Sequence, residues 1–207
     1  MKWIHKILGL FLVKPFFKIF FRLKVEGKEN LKNLSGPLLI IGNHKFFLDP
    51  FALGAATPIS TNIHPIRIMG EIAVFNHPGL RLLKKTGIIK LVYSLFGVFS
   101  VVRGVELKEA LEVPINILKN NGIVFLFPEG KIVHEDEIGQ FKRGAPALAL
   151  ITKTKILPIA LKIGHKGVRK KYFVKFGQVF SLPEGLTNED GSGYMRSIIE
   201  DLYRTLK

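Results

Sequence analysis

Short uninterrupted apolar runs alternate along this chain with longer stretches of helical periodicity. Residues 37–42, 66–69, 98–102 and 123–127 each read as a buried strand. Residues 156–163 read as extended, and 172–180 alternate inward and outward positions as a strand does. Between these runs, 72–85 is partly helical but broken by Asn76, His77, Pro78 and Gly79. Residues 106–120 read as a helix interrupted at Pro114 and terminated by Gly122, and 145–152 as another. The chain closes on a helix over 192–206, with Ile198, Ile199, Leu202, Tyr203 and Leu206 at helical spacing. This order implies an α/β domain: a mixed, mainly parallel sheet flanked by helices.

The first 24 residues follow a different pattern. Their longest apolar run, 7–13, is stopped by Lys14 and Pro15, well short of the roughly 20 residues that a spanning helix needs. A signal peptide would need an unbroken apolar core and small residues at a cleavage site, which this segment lacks. Lys14, Lys18 and Arg22 are spaced four apart and share a helix face, with Phe16, Phe17, Ile19, Phe20, Phe21 and Leu23 around them. Two short amphipathic helices meeting at Pro15 are expected, lying flat in a bilayer interface. A helical hairpin packed on the protein's own core fits the same pattern. The chain accordingly divides into membrane-associating helices over 1–28 and an α/β domain over 29–207.

Charge and composition narrow the function classes. Lys and Arg number 31 against 16 Asp and Glu, a net charge of +15, which attracts polyanions: nucleic acid, an anionic membrane surface or phosphorylated metabolites. A nucleic-acid-binding sheet would interleave its aromatics with basic residues. The 17 Phe sit instead largely in apolar runs, and no RNA-binding fingerprint is present. The absence of cysteine removes thiol nucleophiles, disulfides and Cys-based metal sites. His64, His77, His134 and His165 are scattered without ligand spacing, so no metal is expected.

Two apolar strands stop abruptly at polar groups, and in open α/β sheets sites collect beyond the carboxyl ends of strands. After the run 37–42 come Asn43 and His44, and Asp49 follows five positions after His44. Asp49 can hold one imidazole nitrogen and so free the other to take a proton. No G-x-S-x-G elbow supplies a protein nucleophile, so the pair suits direct activation of a substrate hydroxyl. A capping Asp beside an inert His is the plain alternative. A lipid esterase would need a nucleophile or a metal-bound water. The second stop is Phe127-Pro128-Glu129-Gly130-Lys131, where a charge directly follows an apolar run and needs a partner or a ligand.

His-x4-Asp after a strand, followed about 80 residues later by Phe-Pro-Glu-Gly, resembles the glycerophospholipid acyltransferase family. The closest group is the 1-acylglycerol-3-phosphate (lysophosphatidic acid) acyltransferases. Gly97-Val98-Phe99-Ser100-Val101-Val102-Arg103 resembles the family's second block, and Ile156-Leu157-Pro158-Ile159-Ala160 its fourth. Phe141-Lys142-Arg143-Gly144-Ala145 matches the stretch between the third and fourth. The chain departs from the pattern at Val102, where an Asp is usual, at Lys131-Ile132-Val133, in place of Thr-Arg-Ser, and at Phe46, where a Ser is common. The resemblance implies His44 as general base and Asp49 as its orienting partner. It implies Arg103 as the contact to the acceptor phosphate, Glu129 and Gly130 as walls of the acceptor site, and Lys131 as a replacement for the missing Arg. It also implies an acyl-CoA or acyl-carrier-protein donor, no further cofactor, and a lysophospholipid acceptor that becomes phosphatidic acid. The expected place is the cytoplasmic face of a membrane, interfacial rather than spanning. Other lysophospholipids or saccharide lipids remain open as acceptors.

Overall fold

In the computed structural model, residues 6–70, 94–100, 104–134, 136–164 and 170–206 are described. Their seven strands form one sheet: β1 (Arg22–Glu26), β2 (Leu38–Gly42), β3 (Ile66–Gly70), β4 (Val98–Ser100), β5 (Ile123–Leu126), β6 (Lys155–Gly164) and β7 (Lys171–Phe176). The spatial order is β1-β7-β6-β2-β5-β3-β4. Every neighbouring pair is parallel except β6 and β7, which are antiparallel. The helices are α1 (Lys14–Phe20), α2 (Asp49–Ala56), α3 (Leu107–Lys119), α4 (Gly144–Thr152) and α5 (Asn188–Arg204). The expected α/β class, with a mixed and mainly parallel sheet, is the observed one.

Strand periodicity builds two cores, one on each face of the sheet. Leu38 and Ile40 of β2, Ile123 and Phe125 of β5, and Leu157, Ile159 and Leu161 of β6 face α1 and α2. The alternate residues Leu39, Ile41, Val124, Leu126, Ile156 and Ala160 face α3, α4 and α5. Central strands buried on both faces read in sequence as continuous apolar runs, which is why they were visible there.

Several elements differ from the sequence expectation. In place of two helices meeting at Pro15, the described segment is helical without a break from Lys6 to Phe20, with a π-helical turn at Gly9–Val13. A proline ring collides with the carbonyl four residues back in a regular helix, and the wider turn ahead of it relieves that contact. The helical pattern read as far as Lys24 stops at Phe20. Arg22–Glu26 is instead an edge strand, with Leu23 and Val25 packed against the core while Arg22 and Lys24 are exposed. Pro114 does not interrupt α3, because Leu111, Pro114 and Leu118 are buried together and their packing outweighs the lost backbone bond. Helix α5 begins a turn early, at Asn188, where the Thr187 hydroxyl accepts from the Asp190 N–H at 3.1 Å. The expected partial helix at 72–85 lies outside the described residues. Among the described residues, no helix is long and apolar enough to cross a membrane.

The N-terminal helix is both core and surface. Val13, Phe17 and Phe21 are buried in the α1–α2 core, and Phe17 and Phe21 stack at 5.1 Å. Ile7, Leu10, Phe11, Leu12, Phe16, Ile19 and Phe20 remain exposed, Phe11 to 71%. Phe17 anchors the helix, so Phe17→Ala should cost about 3–5 kcal/mol of unfolding free energy. Denaturant unfolding measures that loss. A cost under about 1 kcal/mol would mean that α1 is not an integral layer of the domain.

Candidate active site

Strands β2 and β5 are parallel neighbours with Ile41 opposite Leu126, so both chains leave the sheet at the same edge. Three residues past that pair stand His44 on one strand end and Glu129 on the other. The exit of β2 is fixed by Asn43, which is fully buried. Its side-chain amide donates to the Leu161 carbonyl and accepts from the Leu161 N–H, both at 2.8 Å. The side chain thus continues the β2–β6 ladder by one step after the backbone has turned away.

Asp49 opens α2 and is completely buried. Pro50 behind it pre-sets the first helical turn. Its Oδ2 accepts from His44 Nδ1 at 2.8 Å, from the Lys45 N–H at 2.6 Å and from the Phe46 N–H at 2.9 Å. Its Oδ1 accepts from the Tyr172 hydroxyl. Burial pushes the Asp49 carboxyl above its ordinary range, opposed by the hydrogen bond and charge of His44 and by the two backbone N–H groups. Every contact on its oxygens comes from a donor, so the ionised form satisfies all of them. The His44 ring stacks on Phe127 at 3.9 Å and 10°. With Nδ1 held by Asp49, Nε2 is the nitrogen left to accept a proton.

Glu129 is buried and spends both oxygens on backbone N–H groups: Oε2 on His44 at 2.7 Å and Oε1 on Gly139 at 2.9 Å. Burial raises its carboxyl too, against the pull of those two N–H groups and of Lys45. The His44 carbonyl accepts from the Val133 N–H at 2.8 Å, so the loop after β5 grips His44 on both sides of its backbone. Glu129 therefore builds the loop that carries His44. Gly130 has φ +65°, and a Cβ there would come within 2.9 Å of Lys142 Nζ, so this turn presses close to the Lys142 side chain. Lys131 is exposed on the same loop. Arg103 lies outside the described residues. Among those described, no group of three or more His, Asp or Glu is placed to hold a metal ion.

Sequence reading missed three members of this site. Tyr172 carried no signal, since it looks like an ordinary residue of an apolar strand, and Asn43 stood out only as a polar residue at the end of the run, with no partner indicated. Lys45 is nearly buried, donates from Nζ to the Glu137 carbonyl, and lies over the Tyr203 ring at 5.3 Å. Only the fold brings residue 203 next to residue 45. The Tyr203 hydroxyl in turn donates to Asp136, and burial first, then the Asp136 carboxylate, makes the phenol hold its proton to a higher pH than usual.

Residues 22–162 match the model of the Acyltransferase family. A chloroplastic 1-acyl-sn-glycerol-3-phosphate acyltransferase of Arabidopsis thaliana is 29% identical over 77% of this chain and 40% of its own length. A probable 1-acyl-sn-glycerol-3-phosphate acyltransferase of Mycoplasma genitalium is 27% identical over 83% of this chain and 67% of its own. The chain thus spans well under half of the plant relative. The fold is similar to that of the 1-acyl-sn-glycerophosphate (LPA) acyltransferase PlsC from Thermotoga maritima, with a TM-score of 0.67 at 20% identity, over 98% of this chain and 78% of that one. Because Glu129 accepts two backbone N–H groups, Glu129→Gln leaves at least one donor facing an amide N–H₂. The variant should lose about 1–3 kcal/mol of stability. Denaturant melts should show the loss, and wild-type stability in the variant would remove Glu129 from the loop's support.

Proposed function

This chain belongs to the acyltransferase family, and we propose that it moves a fatty acyl group from a thioester onto the free hydroxyl of 1-acylglycerol-3-phosphate, giving phosphatidic acid. The observation that carries this reading is the His44–Asp49 hydrogen bond at the carboxyl edge of the sheet, with no nucleophile in the sequence motif that contains it. His44 Nε2 takes the acceptor hydroxyl proton as the oxygen attacks the thioester carbonyl. The carbon–sulfur bond then breaks, and the leaving thiolate takes the proton back from the imidazolium. Buried Asp49 holds the tautomer and stabilises the transient imidazolium. The donor is acyl-CoA or an acyl-carrier protein, neither of which asks a further cofactor of the protein.

Acceptor recognition is assigned to Arg103, whose guanidinium can grip a phosphate in two places, with Lys131 adding charge from the loop after Gly130. Gly130 and the backbone around Glu129 would form the wall of that site. An apolar cleft between the N-terminal helix and α2 starts directly after Asp49 and is lined by Leu8, Val13, Pro50, Phe51, Ile66 and Phe96. It offers an aliphatic chain an apolar surface, although neither His44 nor Asp49 lines it.

The protein works, on this reading, from the cytoplasmic surface of an anionic membrane, attached within residues 1–28 by the exposed helix face ahead of β1, while Arg22–Glu26 belongs to the sheet. Exposed Phe11, Phe16, Ile19 and Phe20 would enter the acyl region, and Lys14 and Lys18 would meet headgroup phosphates. Phe47, 59% exposed and three residues from His44, extends the apolar surface to the site itself.

General-base removal sets the first test. His44→Ala should cut turnover by about 10² to 10⁴ without unfolding the protein, measured with labelled thioester donor and lysophosphatidate. Near-normal transfer by that variant would refute the mechanism. The membrane reading has its own test in Phe11→Glu combined with Phe20→Glu. Each exposed Phe contributes about 1.5–3 kcal/mol on burial, so flotation with anionic vesicles should show at least about a hundredfold weaker binding. Unchanged flotation would place the attachment surface elsewhere.

A further inference from the structure

Asp49 presents two oxygens, and His44 engages one of them. The other accepts from the hydroxyl of Tyr172, 123 positions further along the chain. Tyr172 is completely buried, the second residue of β7, paired with Leu23 of β1 on one side and Ile163 of β6 on the other. Phe17 and Phe21 pack edge-on against its ring at centroid distances of 5.6 and 5.8 Å. Backbone pairing on both sides and two aromatic walls leave the hydroxyl one direction in which to point.

We propose that Tyr172 is a positioning residue for acyl transfer, fixing Asp49 through its second oxygen and thereby setting how strongly Asp49 holds the His44 imidazolium. The proposal rests on the reading of His44 as the base. A buried carboxylate with a spare lone pair rotates toward other donors and concentrates its charge. The Tyr172 hydroxyl blocks that rotation and draws off part of the charge. Other charged groups around the pair act at different atoms. Glu129 binds the His44 backbone N–H, Lys45 reaches the Glu137 carbonyl, and Lys170 lies over the Phe46 ring. The same ring contacts join the N-terminal helix to the site, through Phe17 and Phe21, then Tyr172, then Asp49, then His44.

Two substitutions push the donor in opposite directions. Tyr172→Phe removes it, so the Asp49 charge concentrates and holds the imidazolium more tightly. The acid limb of the kcat/KM profile should move to higher pH, and kcat should fall about 10- to 100-fold as the freed carboxylate rotates out of line with His44, with both KM values little changed. Tyr172→3-fluorotyrosine strengthens the donor and should move the limb to lower pH. In parallel, the low-field proton signal of His44 Nδ1–H, read by NMR in the folded variants, should shift in opposite senses for the two substitutions. A proton signal and an acid limb that stay fixed in both folded variants would overturn the proposal and leave Tyr172 a packing residue. If the proton signal moves while the acid limb does not, Tyr172 still touches the pair, but His44 is not the base and the positioning role falls with it.

Discussion

The register of two parallel strands governs the site. With Ile41 of β2 set opposite Leu126 of β5, His44 and Glu129 fall the same number of residues beyond the pair. The carboxylate of one then meets the backbone N–H of the other at 2.7 Å. A slip by a single residue would turn every side chain of β5 to the other face and withdraw that carboxylate. It would also strand a buried charge, a cost that the apolar packing of so short a strand cannot offset. Fold stability and site assembly are therefore one requirement: the alternation that sends Phe125 to one core and Leu126 to the other also delivers Glu129 to His44.

Much of this was legible in the chain, and what was not has a physical reason. The central strands announce themselves because burial on both faces demands unbroken apolar runs. His44, Asp49 and Glu129 were legible because a charged or titratable group directly after such a run has to be accounted for, and the resemblance to acyltransferases supplied the accounts. The support Glu129 gives the loop was not legible. Sequence offered it as a wall of the acceptor site, and the structure adds that both its carboxylate oxygens accept from loop N–H groups. Strand β1 was hidden because an edge strand keeps Arg22 and Lys24 in solvent, and the four-residue spacing of Lys14, Lys18 and Arg22 mimics a helix face. Helix α2 was hidden because the short run from Asp49 to Ala56 is apolar nearly all round and carries no amphipathic period. Tyr172 lay beyond reach because its partner is set by tertiary topology alone.

The polar interior shows the opposite economy from the apolar one. Asn43, Asp49 and Glu129 are buried, and each has its side-chain oxygens matched to donors. Most of those donors are backbone N–H groups of the two loops that leave the sheet edge. Buried side chains thus do for these loops what a strand ladder does for a sheet. They let irregular chain pass through the interior without unpaired peptide groups. The result is a pair of loops with their backbone groups satisfied and a His44 imidazole that is held at Nδ1 and remains partly exposed.

The antiparallel pairing of β6 with β7 has a consequence for distance. Strand β6 ends at the site's edge of the sheet, and β7 starts there because it runs the other way, with Ile163 opposite Tyr172. Had the connection been a crossover to a parallel β7, its second residue would begin at the far edge, about 15–20 Å off at roughly 3.3 Å per residue, and its phenol could not reach α2. The reversal also sorts the length changes the chain can absorb in descent. Residues added between Gly164 and Lys171 lengthen only the connection between the two strands and leave the ring where it is. One residue added inside β7 ahead of Tyr172 carries the ring to the opposite face of the sheet, away from Asp49, while the strand itself still pairs.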